Sequence, residues 1–182
     1  MKKTLLFFWE IAKIVLIALA IVVPIRYFLF QPFFVKGQSM EPNYETGDYL
    51  IVDELSYRLR SPERGEVIVF KYPNDTTQRY IKRIIGLPGE TVEIKDDQVT
   101  IYKTDSTTEV LNESNYLSSS VPTAGDLKIT LEQDEFFVLG DNRPVSSDSR
   151  RWGVVPRKDI IGRVYLRAWP INTAEKIELP VY

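Results

Sequence analysis

The sequence predicts a mostly β domain that follows a single N-terminal transmembrane helix. Three observations lead to this prediction: one long apolar run lies within the first 30 residues, short segments rich in Val, Ile, Tyr and Phe recur from residue 49 onward, and turn residues separate those segments. The whole chain has 182 residues, which is the size of one domain. We therefore expect one hydrophobic core beside the apolar segment.

The apolar segment covers residues 5–30 and is long enough to span a bilayer. Its charge-free part, residues 14–25, is too short to cross by itself. Glu10 and Lys13 are therefore expected to lie near one interface, where they pair at a spacing of three residues and extend toward the water.

Two other interpretations of this segment are a buried core helix and a cleavable signal peptide that ends near Ala20. A core helix should show a polar face, and none is visible within residues 14–25. A cleavage site after Ala20 would be followed by a change of composition, but the apolar run continues there. The membrane anchor remains the favoured interpretation.

The orientation in the membrane is predicted from the basic residues on either side of the segment. Arg26 lies alone at the C-terminal end, whereas three lysines lie toward the N-terminus, namely Lys2, Lys3 and Lys13. Cytoplasmic flanks carry the excess of positive charge. We therefore expect residues 1–30 to form a cytoplasmic N-terminus and a single-pass anchor in the cell membrane, and residues 31–182 to form an extracytoplasmic β-rich domain.

Eight segments have the composition and length of β-strands: residues 49–53, 67–72, 79–85, 91–95, 98–102, 128–131, 135–139 and 160–168. Asp96 and Asp97 separate two of them at the spacing of a β-hairpin. Residues 104–126, which lie between the predicted strands 98–102 and 128–131, are rich in Ser, Thr, Asn and Glu. That composition predicts a mobile, variable surface insertion that can be shortened without loss of activity.

The chain contains no histidine and no cysteine, which excludes several kinds of chemistry. A Ser-His-Asp triad, a Cys-His protease, a His/Cys zinc site and a disulfide are all ruled out. Covalent catalysis would have to use a hydroxyl, a lysine or a carboxylate, and we expect neither a metal nor a cofactor. The formal net charge of −2 arises from interleaved charges without a basic face, so nucleic acid is not an expected partner.

Ser39 and Lys82 are the candidates for such chemistry. Ser39 lies in the loop sequence GQSMEP just beyond the apolar segment, although a serine in such a loop usually serves only the turn. Lys82 lies on a predicted strand and shares a face with Tyr80 and Ile84. A desolvated lysine with a lowered pKa could activate a hydroxyl without histidine. The alternative is an ordinary exposed lysine on an edge strand.

A third polar motif, GDNRPVSSDSR at residues 140–150, directly follows an apolar strand. It could be a polar loop with an Asx turn and charge pairs. In an extended conformation, Ser146, Asp148 and Arg150 would share one face.

Taken together, four motifs resemble those of bacterial type I signal peptidases, the leader peptidases with a Ser-Lys dyad, in their single-anchor Gram-positive-like form. The motifs lie at residues 37–42, 64–70, 80–90 and 140–150, in that order after an N-terminal apolar segment. The resemblance covers nearly the whole chain apart from residues 104–126. It implies a signal-peptidase-like catalytic domain built of antiparallel sheets.

The resemblance also implies catalytic roles. Ser39 would attack the scissile carbonyl to form an ester acyl-enzyme, and neutral Lys82 would accept its proton. Ser146 would orient the lysine, while Asp141, Asp148, Arg83 and Arg150 would support the site through ion pairs. Because a carboxylate in contact with Lys82 would raise the lysine pKa, we expect Asp148 to pair with Arg150 instead. The Ser39 N–H would serve the oxyanion hole, and Gly37 stands where some members carry a second, hydroxyl donor.

For the substrate, the resemblance implies a signal peptide of a secreted precursor, bound in extended form through the small-x-small sequence that precedes the cut. Val35, Met40 and Ile81 would line the pocket for the residue before the cut. Phe33, Val69 and Ile81 would line the pocket two residues further back. The lipid bilayer is the second expected partner.

Three other functions are compatible with parts of the sequence. A catalytically silent homologue acting in assembly or chaperoning would be expected to lack Ser39 or Lys82, and both are present. A self-cleaving repressor-type Ser-Lys protease would carry a DNA-binding half in place of the apolar segment. A membrane-anchored ligand-binding β domain would differ from the protease in failing to cleave a signal-peptide substrate.

Overall fold

A long N-terminal helix, α1 (Lys2–Phe28), leads directly into an antiparallel β structure in this computed structural model. The structure describes residues 2–28, 30–118 and 121–180, and within α1 it describes the side chains of residues 7–20 and 22. Many of these side chains are large, apolar and exposed, and the predicted ion pair is present, with Lys13 Nζ 2.7 Å from Glu10 Oε1. Over the described residues, no helix has the length and apolarity needed to cross a membrane.

The described part of the chain also contains two short α-helices, two 3₁₀-helices and twelve strands. The α-helices are α2 (Ser56–Leu59) and α3 (Ser149–Trp152), and the 3₁₀-helices are Arg157–Asp159 and Ile171–Thr173. The strands are β1 (Phe30–Phe34), β2 (Tyr49–Asp53), β3 (Val67–Tyr72), β4 (Asp75–Gly86), β5 (Thr91–Lys95), β6 (Gln98–Tyr102), β7 (Thr108–Val110), β8 (Leu127–Thr130), β9 (Glu135–Leu139), β10 (Val155–Pro156), β11 (Ile160–Trp169) and β12 (Glu175–Lys176).

The strands form two sheets, and every pairing is antiparallel, as predicted. The larger sheet has the order β1-β2-β11-β3-β4-β9-β10, with β12 beside β11, and the smaller sheet has the order β7-β6-β5-β8. All eight predicted strands are present within a few residues of their predicted bounds. The predicted hairpin is also confirmed, because Asp96 and Asp97 adopt the left-handed φ values of 49° and 61° that a two-residue turn needs.

Four strands were missed by the sequence-based prediction: β1, β7, β10 and β12. β1 has the sequence FQPFF and directly follows the long apolar run, so its pattern merges with that of the helix. The other three have only two or three residues each, too few to show alternation.

Strand β4 lies inside the larger sheet, between β3 and β9. Its apolar side chains alternate between different parts of the core: Ile81 packs with Val69, Ile84 packs with Ile68, and Ile85 joins a third cluster with residues of the smaller sheet. Lys82, on the same strand, therefore lies in the interior of the protein. The alternative of an exposed lysine on an edge strand is wrong.

The prediction of a purely surface insertion at residues 104–126 is also wrong in part. Among its described residues, four side chains are buried: Leu111, Tyr116, Leu117 and Thr123. Leu111 packs into the core cluster that the smaller sheet forms with β9. The average composition of the segment hid these side chains because they are few and widely spaced among polar residues.

Candidate active site

Ser39 lies in a turn between β1 and β2, and two contacts hold that turn against the loop at residues 140–150. The Asn142 N–H donates to the Ser39 carbonyl oxygen at 3.1 Å, and Asn142 Nδ2 donates to the Gln38 carbonyl at 3.0 Å. The next residue, Met40, is completely buried in the core, and its packing there fixes the position of the turn. Ser39 itself remains partly exposed to solvent.

Lys82 reaches this turn from the middle of β4. Its side-chain nitrogen Nζ lies 2.6 Å from Ser39 Oγ and donates to the Ile81 carbonyl oxygen at 2.8 Å. The residue is only 3% exposed. Burial disfavours the ammonium form and lowers the pKa of Lys82 to about 8, although the charges of Asp148 and Asp141 act in the opposite direction. A substantial fraction of the lysine is therefore neutral near pH 8.

Each of those two carboxylates is engaged by an arginine. Asp141 accepts from Arg83 Nε at 2.9 Å and from Arg83 Nη2 at 2.6 Å, and both side chains are buried. Asp148 accepts from Arg150 Nε at 2.8 Å and from Arg150 Nη2 at 2.9 Å. The expected pairing of Asp148 with Arg150 is thus confirmed. Because both carboxylates are neutralised by bidentate partners, desolvation dominates the pKa of Lys82.

Of the two conformations considered for the loop at residues 140–150, a polar loop with a turn and charge pairs or an extended segment, the structure has the first. The Ser146 N–H donates to the Asn142 carbonyl at 2.9 Å, which closes a turn, and α3 begins at Ser149. Asp148 accepts from the Arg150 N–H at the start of this helix and from the Gly140 N–H at 3.1 Å. Asp148 and Arg150 therefore meet through a helix cap instead of a shared strand face.

Ser146 lies at the site, but its hydroxyl makes no described hydrogen bond to Lys82, whereas the resemblance implied that it orients the lysine. It is 3% exposed, and its hydroxyl has no hydrogen-bond partner among the described residues. It lies against Gly140, where an added Cβ would come within 2.2 Å of Ser146 Oγ and 2.3 Å of the Ser39 carbonyl oxygen. Only glycine fits at this close approach of the two loops, a requirement that the sequence did not reveal.

A cavity of about 530 Å³ opens beside Ser39 and Lys82. Its other lining residues are Phe33, Phe34, Lys36, Gln38, Arg79, Tyr80, Ile81, Val145 and Ser147. Of the predicted substrate-binding residues, Phe33 and Ile81 line it. Val35, Met40 and Val69 instead lie in the core cluster beneath it, each at most 2% exposed. Strand alternation alone could not distinguish the residues that line the cavity from those that are buried in the core beneath it.

A larger cavity of about 850 Å³ lies elsewhere, between residues 42–48 and the C-terminal residues 170–180. Its lining includes Arg83 and Arg167 but neither Ser39 nor Lys82. Of these two cavities, the smaller one is therefore the one that Ser39 and Lys82 line. This pair can act as a nucleophile and a general base.

Comparison with known proteins relates the chain to peptidases. Residues 8–169 match the family described as signal peptidase, peptidase S26. Among curated relatives, probable signal peptidase I-2 of Synechocystis sp. is 37% identical over 168 residues (89% of this chain, 73% of the relative). Signal peptidase I of Leptolyngbya laminosa is 37% identical over 177 residues (92% and 83%). Signal peptidase IB of Staphylococcus aureus is 32% identical over 183 residues (94% and 93%).

Among solved structures, the chain resembles a signal peptidase I from Enterococcus faecalis V583. The two are 34% identical, with a TM-score of 0.47, and the match covers 58% of this chain and 97% of the other.

Proposed function

Because this chain belongs to the signal peptidase family, peptidase S26, and is therefore a hydrolase of the serine peptidase type, we propose that it removes signal peptides from secreted precursor proteins by means of a Ser39–Lys82 dyad. The observation that carries the proposal is the 2.6 Å separation of Lys82 Nζ from Ser39 Oγ at a buried lysine with a lowered pKa. A hydroxyl attacks a carbonyl only when a base accepts its proton, and this geometry supplies one.

In the first step, neutral Lys82 accepts the Ser39 proton as Oγ attacks the scissile carbonyl carbon. The resulting ammonium then donates a proton to the leaving amine as the C–N bond breaks, which leaves an ester on Ser39 and a neutral lysine. In the second step, Lys82 accepts a proton from a water molecule as the water oxygen attacks the ester. That proton returns to Ser39 Oγ, and the carboxyl end of the signal peptide is released.

The tetrahedral intermediate of each step carries negative charge on the former carbonyl oxygen. We assign the Ser39 N–H as one donor to that oxygen, a contribution of about 3 kcal/mol when such a donor is well placed. Gly37 has no side-chain donor, and its N–H donates to Thr46 Oγ1 at 3.1 Å. Gly37 is therefore not proposed as the second donor.

The cavity supports a preference for small side chains before the cut. Phe33, Ile81 and Tyr80 form its apolar walls. The predicted lining residues Val35, Met40 and Val69 fill the core beneath it, and a close-packed core resists displacement. A methyl group would fit against such a floor more readily than a large side chain.

The proposal is tested by incubating the purified full-length protein in detergent with a secretory precursor and locating the new N-terminus by mass spectrometry. We expect cleavage after the small-x-small sequence. A matched precursor with Trp in place of the small residue before the cut should be cleaved far more slowly. An intact wild-type precursor, or equal cleavage of both precursors, would overturn the proposed function.

Although no helix qualifies as a membrane span over the described residues, we also propose, from the apolar run at residues 5–30 of the sequence, that α1 anchors the protein in the cell membrane with the N-terminus in the cytoplasm and residues 31–182 outside. The support is the set of large apolar side chains that α1 exposes and the lysine bias at its start. Strand β1 begins two residues after α1 ends, and Phe33 and Phe34 on it line the cavity, which would place the site near the membrane surface.

Protease added to intact protoplasts should therefore digest the catalytic domain. Lysed protoplasts treated in the same way provide the control for protease activity. Protection of the domain until lysis would contradict this orientation.

A further inference from the structure

Residues 111–118 and 121–125, here called the brace segment, contact three separate parts of the proposed active site. The segment lies within residues 104–126, where composition predicts a dispensable insertion. Its contacts reach Arg143 and Arg150 in the catalytic loop (residues 140–150), Arg83 beside Lys82, and Asn43 beyond Ser39. None of these contacts is local in sequence.

The strongest contact is made to Arg143, whose side chain is among the largest fully buried ones in the described residues. Its Nη1 donates to Glu113 Oε2 at 2.8 Å and also to Thr123 Oγ1, and its Nη2 donates to Glu113 Oε1. Its Nε donates to the Gly140 carbonyl oxygen at 3.0 Å. Arg143 thus ties two points of the brace segment to the glycine that packs on Ser39.

A second contact reaches the elements that carry Lys82 and Ser39. The Arg83 guanidinium lies 4.1 Å from the centre of the Tyr116 ring, and Asn43 Nδ2 donates to the Tyr116 carbonyl oxygen at 2.8 Å. The same Asn43 Nδ2 also donates to Asp141 Oδ2 at 2.8 Å. Tyr116 therefore contacts Arg83 directly and is connected to Asp141 through Asn43.

A third contact involves the partner of Asp148. Arg150 Nη1 donates to the Ala124 carbonyl oxygen at 3.2 Å, and Arg150 Nη2 donates to the Arg143 carbonyl oxygen at 2.7 Å. Arg150, which pairs with Asp148, is thus also held by the brace segment and by the backbone of Arg143. Displacing the brace segment would remove the Ala124 contact of Arg150 and the Glu113 and Thr123 contacts of Arg143.

We propose that the brace segment is a positioning element of the peptidase, and that the Glu113–Arg143 pair holds the catalytic loop in register with Ser39. This inference rests on the proposed Ser39–Lys82 function. The brace residues do not line the cavity, so they act through Gly140 and Asn142 and not by touching the substrate. Loss of the pair lets the Asn142–Ser39 contact loosen, and a misplacement of about 1 Å can reduce a rate about 100-fold.

Two variants separate positioning from stability. Glu113→Gln leaves the Arg143 charge buried without its counter-charge, so it should lower both kcat and the free energy of unfolding. The double variant Glu113→Gln, Arg143→Met removes that charge as well and should recover stability in urea unfolding, yet its kcat should remain about 10- to 100-fold below wild type. KM should change less than kcat in both variants.

The matched control is Glu109→Gln, which breaks a half-exposed pair with Lys103 outside the brace segment. It should leave kcat, KM and stability close to wild type. Amide hydrogen exchange gives a second measurement that needs no substrate. Exchange at Asn142 should be faster in both Glu113 variants than in wild type or in Glu109→Gln.

Wild-type kcat in the folded double variant, or unchanged exchange at Asn142, would overturn the positioning role. A change confined to KM would overturn it too, because it would indicate substrate binding. Failure of the proposed function looks different: the wild type itself leaves the precursor intact, while the exchange measurement still decides whether the brace segment holds the loop.

Discussion

Ser39→Ala should reduce kcat/KM for the precursor by a factor of about 10⁴ to 10⁶, the range seen when a covalent nucleophile is removed from a serine peptidase. No other hydroxyl is placed to replace it, because the one described hydroxyl in hydrogen-bond contact with Lys82 Nζ is that of Ser39. Ser39 is partly exposed, and the change removes a single atom, so the variant should fold normally. The measurement is cleavage rate by gel or mass spectrometry.

Ser147→Ala provides the matched control for this prediction. Ser147 is exposed and lines the same cavity, yet it makes no described hydrogen bond to Lys82. Its removal should leave kcat/KM within a few-fold of wild type. If Ser39→Ala retained activity comparable to this control, Ser39 could not be the nucleophile.

Lys82→Arg should be inactive even though it keeps a positive charge, with kcat/KM reduced by at least about 10³-fold. A guanidinium does not release its proton in the accessible pH range, so it cannot accept the Ser39 proton. For the wild type, kcat/KM should rise with pH along a limb centred near pH 8, because burial lowers the pKa of Lys82 to about 8. A lysine in water would place that limb near pH 10.5.

The control here is Lys36→Arg, because Lys36 is an exposed lysine that lines the same cavity. It should retain both the activity and the position of the limb. Activity in Lys82→Arg, or a wild-type limb that appears only near pH 10.5, would exclude Lys82 as a desolvated base.

The lowered pKa has a consequence for stability that a Lys82→Met variant isolates. Between pH 8 and 10.5 the unfolded lysine is protonated and the folded one is neutral, so the unfolded state binds more protons and stability rises with pH. Below pH 8 both are protonated, and the full cost of burying the charge remains. The wild type should therefore gain about 3 kcal/mol of unfolding free energy relative to Lys82→Met across this window.

Much of this protein follows from local sequence pattern. Short apolar runs identify strands such as β2 and β3, and alternating apolar residues identify β5, because each strand buries one face or both in a core whatever its neighbours are. The absence of His and Cys limits the nucleophile and base to a few residue types. The motif resemblance then selects Ser39 and Lys82, which the structure brings within 2.6 Å of each other.

Other features depend on contacts between residues far apart in the chain. Lys82 is desolvated because β4 pairs with β3 and β9, and no local pattern specifies those neighbours. Phe33 lines the cavity while Met40 lies beneath it, a difference that arises from the packing of the sheet. The pairing of Glu113 with Arg143 spans 30 residues and turns a polar stretch into part of the site. The sequence pattern determines the secondary structure that each segment prefers. The burial of a side chain, and with it the pKa of a lysine, depends on which segments pack together in the tertiary structure.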